Sequence, residues 1–96
     1  MKVKLDDYDI RVLINGLFQQ RSDYDPQTNG AIDDLLLQLV RKPDNMRSWR
    51  RRKYRFDPQE VRLIRMCLID WRNQQLLARK REAAKAIGEL IILFTN

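Results

Sequence analysis

The chain has 96 residues with 19 Lys or Arg, 13 Asp or Glu, no His and one Cys, for a net charge of +6 at neutral pH. At 44% hydrophobic and 33% charged, with three Gly and three Pro, this is the composition of a folded, helix-rich chain and not of a disordered tail. The missing histidine removes the commonest neutral-pH general base and metal ligand, and the lone Cys67 excludes an intramolecular disulfide.

Residues 1–5 alternate Lys2 and Lys4 with Val3 and Leu5, the period of a short half-buried strand. A helix is predicted over residues 6–21. Ile10, Leu13 and Leu17, flanked by Ile14 and Phe18, recur at helical spacing, and Asp6, Asp7 and Asp9 stand where the positive end of a helix dipole favours carboxylates. Residues 22–26 read as a loop, because Pro26 pushes Asp25 out of helical backbone angles. A second helix is expected from a cap near Thr28, with Ile32, Leu35, Leu36, Leu39 and Val40 in one stripe, stopping before Pro43.

Residues 46–56 form a basic connector. Between 47 and 56 six of ten residues are Arg or Lys, interleaved with Trp49, Tyr54 and Phe56, and no acidic residue lies between Asp44 and Asp57. Alternation resumes at 53–56 and runs into Asp57-Pro58-Gln59-Glu60. There Asp57 caps a helix, Pro58 takes the first helical position, and Glu60 occupies the reciprocal capping site. Val61, Ile64, Leu68 and Trp71, widened by Leu63 and Cys67, make that helix's apolar face; Ala83, Ala86, Ile87, Leu90, Ile91 and Phe94 make another. No Gly or Pro falls between residues 73 and 82, so this stretch is either one long helix or two with a tight joint near 77–81.

Sliding the chain by 51 residues aligns Lys2-Val3-Lys4-Leu5-Asp6 with Lys53-Tyr54-Arg55-Phe56-Asp57 and Ile10-Arg11-Val12-Leu13 with Val61-Arg62-Leu63-Ile64, without a gap. It also places Ile32, Leu35, Leu36, Leu39 and Val40 on Ala83, Ala86, Ile87, Leu90 and Ile91. The expected fold is therefore mainly α: one domain of two tandem strand-helix-helix units, residues 1–45 and 52–96, whose four helices share a core and whose short strands pair. The register also calls for a joint in the final helix pair, opposite the Pro26 loop. A core shared by four short helices is thin at this size, which points to a homodimer.

Catalytic and metal readings find little support. Cys67 lies on an apolar helix face with no His to activate it. Asp6, Asp7 and Asp9 serve a helix start, Asp33 and Asp34 a solvated face, and there is no Gly-rich phosphate loop or nucleophile motif. No enzyme activity, metal or cofactor is expected. No basic leader opens the chain, and the longest apolar run, residues 90–94, is far below the roughly 18 needed to span a bilayer; a cytoplasmic location without membrane contact follows as an expectation.

Charge is uneven: residues 1–40 carry four basic and seven acidic groups, residues 41–96 fifteen and six. Such a basic half suits a polyanion. In the functional reading Arg47, Arg50, Arg51, Arg52, Lys53 and Arg55 contact phosphates, supported by Arg79, Lys80 and Arg81, while Trp49 or Tyr54 stacks on an exposed base. In the other reading the segment is a solvated connector that Trp49 and Tyr54 anchor to the core. No helix-turn-helix turn offers a recognition helix, so base-specific readout is not predicted.

The segments Tyr8-Asp9-Ile10-Arg11-Val12-Leu13 and Ile32-Asp33-Asp34-Leu35-Leu36-Leu37 resemble those of small uncharacterised helical proteins carried by phages and mobile elements of Gram-positive bacteria. That resemblance transfers no functional residue. It implies either a nucleic-acid-binding protein or an interaction module that binds and inhibits or regulates a host protein or nucleoprotein complex, such as a defence nuclease; in the second case the arginine loop docks on an acidic surface of the partner.

Overall fold

The computed structural model describes residues 1–40 and 52–95. Six elements follow in order: β1 (Lys2–Leu5), α1 (Asp7–Gln20), α2 (Pro26–Val40), β2 (Arg52–Arg55), α3 (Pro58–Leu77) and α4 (Arg81–Leu93). The fold is mainly α with one two-stranded antiparallel ribbon, β1 against β2.

The ribbon register carries a local symmetry. Lys2 faces Arg55, Val3 faces Tyr54, Lys4 faces Lys53 and Leu5 faces Arg52. Under the 51-residue repeat, Lys2 corresponds to Lys53 and Lys4 to Arg55, so each strand meets its own counterpart reversed. Val3 meets its own equivalent, Tyr54, and an approximate two-fold axis passes between them. The helices follow it: Leu13, Gly16 and Leu17 of α1 are buried, and so are Ile64, Cys67 and Leu68 of α3, each 51 residues on.

Both α1 and α3 start on a reciprocal capping box. Asp6 Oδ1 accepts from the Asp9 N–H at 2.8 Å and Asp9 Oδ2 from the Asp6 N–H at 3.1 Å; Asp57 and Glu60 repeat this at 2.8 and 2.9 Å. Helix α2 starts earlier than its sequence predicts. Pro26 opens the helix instead of ending a loop, because Asp25 caps it, its Oδ1 accepting the Thr28 N–H at 2.7 Å. The Asp25-Pro26 pair thus repeats the cap-then-proline arrangement of Asp57-Pro58.

The final stretch is two helices. Helix α3 ends in a Schellman turn: the Lys80 N–H donates to the Gln75 carbonyl at 2.8 Å, the Arg79 N–H donates to Leu76 at 3.0 Å, and Arg79 takes φ 61°. The joint lies a few residues beyond the point opposite the Pro26 loop, since α3 has 20 residues against 14 in α1. This lengthening rotates the last helix by one position. Ala84 is buried and Ala83 exposed, so Ile32, Leu35 and Leu39 of α2 correspond to Ala84, Ile87 and Ile91, an offset of 52. Val40, expected in the buried stripe, is exposed because it falls past the last packed turn of α2.

The core is continuous from ribbon to helices. Val3, Leu5, Tyr54 and Phe56 point inward beneath Leu13, Leu17, Ile64, Leu68 and Leu90. Phe56 stacks near Tyr54, ring centroids 6.4 Å apart, and meets Phe94 at the end of α4, 5.6 Å away. Helices α1 and α3 cross closely at Gly16, where an added Cβ would lie 2.7 Å from Trp71 Cε3. The polar residue in this core, Gln20, is satisfied by a clasp: its Nε2 donates to Gln74 Oε1 at 3.1 Å, and the Tyr24 hydroxyl, 3.3 Å from Gln20 Oε1, donates to Asp70 Oδ2 at 2.5 Å. Burial, and next the bond to Asp70, raise the Tyr24 hydroxyl well above its ordinary value.

Two outcomes follow for stability. Gly16→Ala should cost about 1–3 kcal/mol by overpacking against Trp71, whereas Gly30→Ala, with nothing within 4 Å of the new methyl, should gain about 0.5–1 kcal/mol as an ordinary helix substitution; urea titration of both variants checks the contrast. Burial pushes the Cys67 thiol from its ordinary value of 9.0 up to about 11, so it favours the fold below pH 9 and that contribution fades as pH rises through 9 to 11. Reaction of Cys67 with a thiol reagent at pH 8 should therefore track global unfolding measured in parallel. Fast labelling of the folded chain would contradict it.

Candidate functional site

The inward residues of the ribbon fix what faces out. In β1 the pattern is exposed, buried, exposed, buried over Lys2, Val3, Lys4 and Leu5, and in β2 Lys53 and Arg55 are exposed on either side of buried Tyr54. The outward face therefore presents Lys2, Lys4, Lys53 and Arg55 as two facing pairs, Lys2 with Arg55 and Lys4 with Lys53. All four are cations.

Their spacing is the close one. The Met1 ammonium donates to the Phe56 carbonyl at 2.8 Å and the Phe56 N–H to the Met1 carbonyl at 2.9 Å, which makes Met1 and Phe56 a hydrogen-bonded pair. By alternation, the two cation pairs occupy non-hydrogen-bonded positions, where antiparallel strands bring side chains nearest, with Cα atoms about 4.5 Å apart. Like charges directly opposite one another destabilise a ribbon. Among the described residues the ion pair seen is Arg21 with Asp33, 3.2 Å apart and far along the helices, so none of the four ribbon cations forms a salt bridge with another described residue. The nearest carboxylates in sequence, Asp6 and Asp57, are committed to the helix N-termini.

The predicted site residues divide between two places. Lys53 and Arg55 lie on this face, and Arg52 enters at the start of β2 opposite Leu5. Tyr54 is corrected: at 6% exposure, stacked beside Phe56, it is a core residue and offers no ring to a base. Its parity on the strand, shared with Phe56, turns it inward. Arg47, Trp49, Arg50 and Arg51 lie outside the described residues. Arg79, Lys80 and Arg81 are exposed at the joint between α3 and α4, separated from the ribbon by the length of α3, about 30 Å for its 20 residues. Sequence reasoning missed Lys2 and Lys4. The signal was the shared parity of Lys-Val-Lys and Lys-Tyr-Arg under the repeat, which pairs them only once the strands are antiparallel.

Among the described residues no group of His, Cys, Asp or Glu could hold a metal ion, and no helix is long and apolar enough to cross a membrane. No family model, curated protein or solved structure matches the chain.

Arg79 sits where glycine is favoured. Arg79→Gly should raise stability by about 1 kcal/mol by removing the left-handed strain, read as a higher urea midpoint with an unchanged slope; a lower midpoint would show that the Arg79 side chain contributes more than its backbone costs.

Proposed function

We propose that this chain binds nucleic acid, laying the outward face of its β-ribbon against the phosphates of a duplex. The observation that carries this reading is the pair of like-charged cross-strand contacts, Lys2 with Arg55 and Lys4 with Lys53. Such pairs cost stability in the free chain, and a polyanion relieves that cost while releasing its own counterions. The geometry is compatible with the partner. A two-stranded ribbon is one of the elements that fits the DNA major groove, and cations two residues apart on one strand of it are spaced by roughly 6.7 Å. In sequence, residues 47–51 directly precede β2 and carry three arginines. Both strands come from one chain, so the face is complete without a second copy. In this reading the protein is a binding module and not an enzyme.

The decisive variant replaces Lys2, Lys4, Lys53 and Arg55 with Gln. Its affinity for a fluorescent duplex should fall at least tenfold, and the slope of log affinity against log salt should shrink by about 0.9 for each lost phosphate contact. Thermal stability at low salt should hold or rise, because the repulsion is gone. Unchanged affinity and slope in a folded variant would remove the ribbon from the binding face; binding to an acidic protein and to no nucleic acid would favour the interaction-module reading instead.

A further inference from the structure

The two halves of the chain use one groove differently. In the first half, α1 and α2 form a shallow groove lined by Phe18, Arg21, Asp33, Leu36 and Leu37, and Arg21 is neutralised across it by Asp33, Nε to Oδ1 3.2 Å. The second half has the corresponding groove between α3 and α4, about 290 Å³, lined by Arg72, Leu76, Arg81, Ala84, Lys85 and Gly88. The buried registers make the correspondence explicit: Arg72 is 51 residues after Arg21, while Lys85 and Gly88 are 52 after Asp33 and Leu36. The arginine is kept, and the carboxylate that answers it has become a lysine.

This substitution leaves a slot for an external anion. Arg72, Arg81 and Lys85 converge on a groove whose remaining lining, Leu76, Ala84 and Gly88, carries no charged group. The Arg72 stem runs beside Gly88, where an added Cβ would make only ordinary contact, 3.9 Å from Arg72 Cδ. The carboxylates of α4, Glu82 and Glu89, do not line the groove, and neither lies within 4.0 Å of these three cations. Helix α4 also begins without a side-chain cap, unlike α1, α2 and α3, which begin on Asp6, Asp25 and Asp57, so its first N–H groups add to the positive potential.

We infer that the groove between α3 and α4 is a phosphate-binding site in which a phosphoryl group, held by Arg72, Arg81 and Lys85, takes the place that the Asp33 carboxylate occupies in the other half of the chain. The planar guanidinium of Arg72 suits two non-bridging phosphate oxygens at once, and Lys85 and Arg81 add charge and further donors around them. The group comes either from a small phosphorylated molecule or from a nucleic-acid backbone lying along this side of the helices, independently of the ribbon face.

The test follows backbone amide shifts of Ala84, Lys85 and Gly88 by NMR while pyrophosphate is added at constant ionic strength, with chloride as the control. Saturable shifts confined to these residues are expected, and Lys85→Asp, which restores the ion pair of the other half, should keep the fold and lose at least tenfold in pyrophosphate affinity. Shifts that do not saturate, that chloride reproduces, or that persist unchanged in Lys85→Asp would overturn the site. A duplex titration on the same variant then identifies the source. Weaker duplex binding with the ribbon intact assigns the phosphate to the nucleic-acid backbone; unchanged duplex binding assigns it to a small phosphorylated molecule. Because pyrophosphate needs neither the ribbon nor a nucleic acid, failure of this site leaves the ribbon reading standing, and the reverse also holds.

Discussion

The antiparallel pairing of β1 with β2 about Val3 and Tyr54 is the constraint on which the other features rest. It places the starts of α1 and α3 on the same small ribbon, so the two helices leave it as equivalents and cross at Gly16. It also fixes which side chains face the core. A slip by one residue would turn one strand over, sending either Val3 and Leu5 or Tyr54 and Phe56 to solvent and pressing that strand's cations into an apolar interior. Burying unpaired charges is far costlier than leaving them mutually repelled in water. The register that builds the core therefore also builds the cationic face.

Symmetry of backbone coexists with asymmetry of charge. Both halves share a strand, a capping box and a buried helix face at matched positions, yet the second carries most of the positive charge. The Arg21–Asp33 pair on the first half, with both side chains nearly half exposed, contributes little to stability on its own. Its meaning is comparative: at the same scaffold position the first half closes its charge internally, whereas the second places Lys85 beside Arg72.

Much of the fold is legible in the sequence because its signals are local. Alternation marks both strands, and Asp-Pro-Gln-Glu marks the start of α3 through side-chain bonds that span three residues. One helix start escaped because its local signal was ambiguous, and one joint was legible only through the repeat register, its local signal being missing. Pro26 restricts the residue before it, which reads as a loop, but the same restriction suits an N-cap, and Asp25 takes that role. The joint after α3 has Arg79 in the left-handed position that usually advertises itself with glycine, so composition alone gave no stop. The site was harder to see than the fold. Lys53 and Arg55 stand out in an arginine-rich run, but Lys2 and Lys4 join them only through pairing across the whole first unit, and Arg72 meets Lys85 only once α4 folds back on α3.

The ribbon has a further consequence for the order of assembly. The turns within each helix pair, residues 21–25 and 78–80, close short loops, whereas Val3 and Tyr54 are 51 positions apart. On loop length alone the ribbon costs about 2 kcal/mol more to close than the first helical turn, and its facing cations add to that. The helix pairs are thus the parts that can form early, whereas the ribbon, like the α1–α3 crossing at Gly16, waits for the two halves to meet. Its cationic face exists only while the two halves are assembled, so an anion bound there would also act as a clamp on the folded state, holding shut a contact that closes a long loop.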